Sequence, residues 1–274
     1  MWTFSSDFAE YAKHAEAFLC QRPAANTVAL TLLASLRSGM PCADDSYFGW
    51  WTENGQVCGA VFRTPPRPLY LADVPPSALV PLAEALRERG TDVPVVSGPV
   101  ELGEAFLTAW GATSSERRPE RLYRLGTLAV PEVPGAGRRA DLSDFPLVMS
   151  WFQAFADEVG MNGGGDLAEL TQRRISHGDV QLWVDGDAPV SVAGVSAEAA
   201  GMCRIGPVYT PPSCRRRGYG AAVTAYASQV ALTERCQEVV LFTDLNNPTS
   251  NAIYQSIGYE PVSDYAHIAL EPVP

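Results

Sequence analysis

Gly206-Pro207-Val208-Tyr209-Thr210-Pro211-Pro212-Ser213-Cys214-Arg215-Arg216-Arg217-Gly218-Tyr219-Gly220 is the stretch on which the fold of this chain turns. An apolar run from Cys203 to Tyr209 enters a proline-marked turn, and three arginines with two close glycines follow. An alanine-rich segment with helical spacing comes next. Strand, basic glycine-rich loop, helix is the order in which a chain builds a phosphate cradle. Backbone N–H groups converge on the anion, the helix N-terminus adds partial positive charge, and glycine removes the Cβ that would block close approach. The loop is not G-x-x-x-x-G-K-[ST], because neither the spacing nor the lysine follows Gly218. The dinucleotide pattern G-x-G-x-x-G fails at its third glycine, where Val223 stands.

What fits is R-x-x-G-x-G, from Arg215 to Gly220, although a solvated basic loop capping a helix would satisfy the same residues. A second motif narrows the choice. In Asn246-Asn247-Pro248-Thr249-Ser250-Asn251-Ala252-Ile253-Tyr254-Gln255-Ser256-Ile257-Gly258-Tyr259, Asn247 can cap a helix with Pro248 at its first position, and Gly258 ends it. The two motifs stand in the order, and within the strand and helix succession, in which the C-terminal half resembles the GNAT superfamily of acyl-CoA-dependent N-acyltransferases. The resemblance covers Arg138 to Pro274. It implies an α/β fold of the α+β kind: a mixed, largely antiparallel sheet with flanking helices and a splayed pair of parallel strands.

It also implies a site. The coenzyme A pyrophosphate is expected on Arg215, Arg216, Arg217, Gly218, Tyr219, Gly220 and Ala221, and the pantetheine arm along Val208, Tyr209 and Thr210. Pro207 cannot donate a ladder hydrogen bond and so marks an edge or a bulge. The N–H of Val208 is the candidate for polarising the thioester carbonyl. Tyr254 is the candidate general acid for the leaving thiolate. The alternative for it is a tyrosine packed under the sheet with its hydroxyl on a backbone carbonyl. Asn247 and Asn251 are candidates for the cofactor amide, with helix capping an equal claim on Asn247. An alkylamine with a pKa near ~10 must lose a proton before it can attack. Glu158, at a helix end ahead of Gly163-Gly164-Gly165, is the candidate base, with a solvated helix-end carboxylate as the alternative.

The first half has a similar rhythm. Ser5 or Ser6 can cap a helix reaching Cys20, and a second helix runs from Ala24 to Leu36. Strands Tyr47–Thr52 and Val57–Arg63 flank an Asn54-Gly55 turn, and a third strand runs from Leu69 to Ala72. A helix from Ser77 to Arg89, a strand at Val93–Ser97, a helix at Val100–Trp110 and a closing strand at Tyr123–Leu128 complete it. The second half repeats that order. A strand at Arg138–Leu142 leads to a helix capped by Ser143 or Asp144, with Pro146 in its first turn. A helix capped by Asp166 runs from Leu167 to Ser176, and a meander over 180–210 leads into the loop. The reading is an internal duplication: residues 1–130 form a degenerate GNAT-like domain without a coenzyme A loop, and residues 138–274 a catalytic domain. Between them, Thr127 to Arg139 is the linker candidate. Asp73-Val74-Pro75-Pro76-Ser77-Ala78, where the first half should carry its loop, has neither arginine nor glycine. That leaves structural support, one wall of the acceptor site, or homodimerisation for the first half.

Composition sets the outer limits. A chain of 274 residues with 46% hydrophobic and 19% charged residues has material for a real core. A net charge of −11 disfavours a nucleic-acid partner, while coenzyme A needs only the local patch at Arg215 to Arg217. No segment is long and apolar enough for a membrane span, and Met1 to Glu10 has no secretory pattern, so the expectation is a cytoplasmic protein. Six cysteines without a C-x-x-C pair and three histidines offer no metal framework. The expected activity is transfer of an acetyl group from acetyl-CoA to a small-molecule or peptide primary amine, by direct attack in a ternary complex. The alternatives are a longer-chain or amino-acid N-acyltransferase, or a non-catalytic acyl-CoA-binding protein.

Overall fold

In a computed structural model, residues 1–160 and 167–272 are described. Among the described residues, twelve strands and eight α-helices follow one another in two rounds of the same order. The first round is β1 (Trp2–Ser5), α1 (Phe8–Leu19), α2 (Thr27–Arg37), β2 (Tyr47–Glu53), β3 (Gln56–Arg63), β4 (Leu69–Leu71), α3 (Leu79–Glu88), β5 (Val95–Pro99), α4 (Val100–Trp110) and β6 (Ala112–Leu125). The second is β7 (Ala136–Arg139), α5 (Phe145–Glu158), α6 (Leu167–Ser176), β8 (Val180–Asp185), β9 (Ala188–Val195), β10 (Met202–Tyr209), α7 (Tyr219–Glu234), β11 (Glu238–Asp244), α8 (Pro248–Ser256) and β12 (Tyr259–Pro272). Asp166 and Gly163-Gly164-Gly165 lie outside the described residues.

The chain divides into two compact units. Unit 1 comprises Met1–Leu122, Asp244–Asn246 and the chain from Val262 on; unit 2 comprises Tyr123–Thr243 and Asn247–Pro261. In unit 1 the strands lie in the order β1-β2-β3-β4-β5-β12. All neighbours are antiparallel except β4 and β5, which are parallel. One face packs Val61, Leu69, Leu71 and Val96 against Leu82, Leu86 and Phe106 of α3 and α4. In unit 2 the order is β6-β11-β10-β9-β8-β7, with β10 and β11 the parallel pair. Each fold is thus a mixed, mainly antiparallel sheet with helices packed on it, as the resemblance implies.

Each unit also takes in chain from the other half: the residues from Val262 on join unit 1, and the end of β6 from Tyr123 joins unit 2. β12 enters unit 1 at Val262 and pairs with β5 from Tyr265↔Pro99 to Ala269↔Val95. β6 lies beside β11, and its residues from Tyr123 on belong to unit 2. The sequence suggests only Tyr123–Leu128 as a strand here, whereas the strand begins at Ala112. Much of its first part, Ser-Ser-Glu-Arg-Arg-Pro-Glu-Arg, is polar or charged and none of it is buried, so no alternating apolar signal marks it.

Local chemistry accounts for the remaining ends. Asn54 and Gly55 take φ of 51° and 78° in the turn between β2 and β3, as an Asn-Gly hairpin requires. The cap of α1 is Asp7 rather than Ser5 or Ser6: its carboxylate accepts from the Ala9 N–H at 2.8 Å, and Ser5 Oγ accepts from the Asp7 N–H. Asp144 is the N-cap residue of α5, without a side-chain cap bond, and Asp141 opens the turn before it. Its carboxylate accepts the Ser143 N–H, and the Asp144 carboxylate accepts the Asp141 N–H in return, a capping box. Arg138 reaches the same Asp144 with both guanidinium nitrogens, at 2.6 and 2.7 Å. No described helix is long and apolar enough to cross a membrane.

Candidate active site

Unit 2 opens at the C-terminal end of its parallel pair. β10 and β11 are in register from Met202↔Glu238 to Ile205↔Leu241, and there the pairing stops. Both strands continue, to Tyr209 and Asp244. On its other side β10 steps from Ile205 to Val208 while β9 steps only from Val195 to Ala193. One extra residue is therefore accommodated on β10, a β-bulge at Gly206-Pro207. A prolyl nitrogen that cannot join a ladder sits where the ladder is broken.

Beyond the opening, the chain turns through a 3-10 turn at Pro212–Cys214 into the loop. Arg215 is extended, Arg216 has φ of 61° and Gly218 has φ of 84°. A left-handed non-glycine residue costs on the order of 1 kcal/mol or more, and such strain clusters at ligand-holding loops. α7 begins at Tyr219 with no side-chain cap on Gly218. Its first-turn N–H groups, including those of Gly220 and Ala221, therefore meet no capping side chain at the positive end of a sixteen-residue helix. α7 is buried along most of its length by small residues such as Ala222, Ala225 and Ala227, so its N-terminus is held rigidly. These observations fit a phosphate ligand.

The three arginines do different things. Arg215 donates to the Thr210 carbonyl at 2.8 Å and to Glu158 at 2.6 Å, and lies 5.6 Å over the Tyr209 ring. Arg217 lies 5.0 Å over the Tyr219 ring and 3.5 Å from the Asp185 carboxylate. Tyr219 is turned inward, 1% exposed, and donates its hydroxyl to Asp185. Arg216 is exposed, and among the described residues it forms no ion pair. Of the expected phosphate residues, then, Tyr219 anchors the loop, Arg215 and Arg217 are tied to carboxylates, and Arg216 carries the uncommitted charge. Thr210 is joined to β9 through Ser191, whose hydroxyl lies 2.8 Å from the Thr210 hydroxyl.

Tyr254 sits on α8, with its ring buried 6.1 Å from Tyr259 in an edge-on contact. It belongs to the apolar cluster around α7, against which Val208 also packs. Burial pushes its phenol up to about 12, so it is protonated at neutral pH. Among the described residues nothing accepts its hydroxyl; Tyr259, by contrast, is engaged with Ser228 at 2.6 Å. Asn247 is a cap, its side-chain oxygen accepting the Ser250 N–H at 3.0 Å. Asn251 accepts from the Tyr123 hydroxyl at 2.9 Å and donates to the Asn247 carbonyl at 2.7 Å.

Unit 1 has no counterpart to the loop. Residues 72–78 contain no left-handed residue, and α3 is preceded by a 3-10 turn at Pro76–Ala78. Beyond β4 lies a cleft of about 250 Å³ lined by Ala25, Val74, Glu101 and Tyr265, with an Arg22–Asp73 ion pair of 2.9 Å at its edge.

Asp185 and Tyr123 were not expected at this site. Asp185 reads as a hairpin-turn residue, and its partner Tyr219 lies 34 positions away. No local spacing signals that pair.

Residues 146–259 match the model of the acetyltransferase (GNAT) family. This segment is a GNAT domain. No curated protein matches the chain. Among solved structures, a GCN5-related N-acetyltransferase from Sphaerobacter thermophilus is similar over 99% of this chain and 97% of its own, with a TM-score of 0.66 at 15% identity. A GNAT-family acetyltransferase from Colwellia psychrerythraea is similar over 99% and 100%, with a TM-score of 0.61 at 12% identity. A tandem GNAT protein from the clavulanic acid biosynthesis pathway is similar over the full length of both chains, with a TM-score of 0.56 at 15% identity. At these identities the likeness is one of fold. It reaches beyond the matched segment into unit 1, where the same element order recurs.

Proposed function

We propose that the GNAT domain transfers an acetyl group from acetyl-CoA to a primary amine by direct attack in a ternary complex. The observation that carries this reading is the parting of β10 and β11 after Ile205↔Leu241, directly ahead of the uncapped N-terminus of α7. Arg216 and the backbone N–H groups from Gly218 to Ala221 would hold the pyrophosphate. Val208 and Thr210 would pair with the pantetheine arm, and Asn247 and Asn251 would border it. The acyl donor supplies an acetyl group activated as a thioester. The Val208 N–H polarises its carbonyl, the amine nitrogen forms the new C–N bond as the C–S bond breaks, and Tyr254 gives its proton to the departing sulfur. The amine's surplus proton passes to a base, for which Glu158 is the assigned carboxylate. The protein works as a cytoplasmic enzyme on a small-molecule or peptide amine, without a metal.

Glu158 stands in an ion pair with Arg215, 57 positions away, and both side chains are more than two-fifths exposed. Its two roles, base and clamp on the loop, separate experimentally. Free thiol is measured after mixing the protein with acetyl-CoA and a panel of amines; amine-dependent release is expected, and its absence with every amine would leave an acyl-CoA-binding protein. Glu158→Gln should remove the acidic limb of the pH–rate profile if Glu158 is the base. An unchanged profile with weaker coenzyme A binding would assign it to the clamp alone.

A further inference from the structure

Arg174 of α6 has no place in the scheme above, and its environment is costly. Its guanidinium donates to the Gly206 carbonyl at 2.8 Å and to the Val195 carbonyl at 3.4 Å. It lies 5.4 Å over the Phe152 ring of α5. Among the described residues no carboxylate forms a salt bridge with it, and Asp179 is taken by Arg235. Burial pulls its pKa down to about 10. Half-burying a guanidinium to serve carbonyl oxygens costs desolvation that an apolar side chain of similar length would not. The surrounding sequence is shaped to admit it. A Cβ on Gly194 of β9 would lie 2.2 Å from the Arg174 Nη2 and 2.7 Å from the Gly206 oxygen. The contact also falls where the sheet lacks its own bonds. Gly206 is in the bulge, Pro207 has no N–H, and the register on β9 resumes only at Val208↔Ala193.

We infer that Arg174 is a positioning residue of the acyl-transfer site: its guanidinium replaces the ladder bonds lost at Gly206-Pro207 and so sets the backbone orientation that carries into Val208. The link to catalysis rests on the reading that the Val208 N–H polarises the thioester carbonyl; the link to the bulge does not. Both bonds leave one nitrogen, Nη2, whose two hydrogens the guanidinium plane holds in fixed directions toward carbonyls of adjacent strands, which the freely rotating ammonium of a lysine does not. Arg174→Lys should therefore recover little of the effect.

The test is amide hydrogen exchange of the full-length protein, followed residue by residue from Ile205 to Thr210, in Arg174→Met and Arg174→Lys. Both variants are expected to exchange at least ~10-fold faster at Gly206, Val208 and Tyr209, while β8 and unit 1 keep wild-type rates. Wild-type rates at those amides in a folded Arg174→Met protein would overturn the inference; should that variant not fold, the same result in Arg174→Lys does so. A second readout separates this inference from the proposed function. With acetyl-CoA bound, the thioester carbonyl stretch should be lowered in the wild type and return toward its solution value in the variants. The catalytic rate constant should fall roughly 10-fold or more with little change in KM for acetyl-CoA. A wild-type protein with no carbonyl shift would sink the Val208 assignment, while the exchange rates still decide what Arg174 does.

Discussion

Tyr254 and Gly218 carry the sharpest expectations at the residue scale. A phenol pushed up to about 12 by burial stays protonated well beyond its ordinary range, so as an acid it is fully loaded across neutral and moderately alkaline pH. The pH–rate profile should therefore show no alkaline fall from Tyr254 between pH ~7 and ~10. Tyr254→Phe should lower the catalytic rate constant on the order of 10²-fold at every pH in that window, with acetyl-CoA affinity little changed. A variant with wild-type turnover would take Tyr254 out of the mechanism. Gly218 and Gly220 differ. A Cβ at Gly218 meets the left-handed φ of 84° and Val133 at 2.9 Å, whereas one at Gly220 meets only Thr210 Oγ1 at 3.4 Å. Gly218→Ala should cost about 1–2 kcal/mol of stability and weaken coenzyme A binding together. Gly220→Leu should weaken binding with a smaller stability loss. Calorimetric titration with coenzyme A beside thermal melts compares the two, and equal melting losses would contradict this division.

Among the elements, α7 shows how an ordinary helix can leave its N-terminus open toward the loop before it. Its alanines let it lie close against the sheet, with the ring of Tyr226 standing where Gly137 of β7 has no Cβ. Its N-terminus is left without a side-chain cap, and the loop before it is braced from outside by Asp185 and Glu158. Those braces divide labour among residues that look equivalent in sequence. Arg215, Arg216 and Arg217 are consecutive, yet two are committed to carboxylates and one is free to meet an anion. The helices themselves were legible: α4 (Val100–Trp110) and α6 (Leu167–Ser176) keep the bounds expected from sequence. β6 was not, because a charged, half-exposed strand has no apolar alternation to show. Tyr123, on that strand, nonetheless donates to Asn251 of α8.

At the scale of the whole molecule, each unit's sheet depends on chain from the opposite half, most clearly the residues from Val262 on in unit 1. A chain ending at Pro261 lacks the strand that pairs with β5 from Tyr265 to Ala269. Its unit 1 should lose cooperative unfolding and expose an edge that promotes aggregation. A soluble, monodisperse truncation with a wild-type melting profile, seen by size-exclusion chromatography and circular dichroism, would refute this. The proposed cut into residues 1–130 and 138–274 separates each unit from part of its own sheet for the same reason. What the sequence determined by itself is local: the arginine- and glycine-rich turn from Arg215 to Gly220, the Asn247 cap, the interruption at Pro207 and the missing loop between Ala72 and Ala78. Each depends on the intrinsic φ preferences of Gly and Pro, or on hydrogen bonds within a few residues. What the tertiary structure decided is which strand completes each sheet, that Tyr219 faces inward to Asp185, that Glu158 meets Arg215, and that Arg174 repairs the bulge. These are pairings between distant residues, chosen by burial and hydrogen-bond satisfaction in the assembled sheet, and they leave no periodicity for a linear reading to detect.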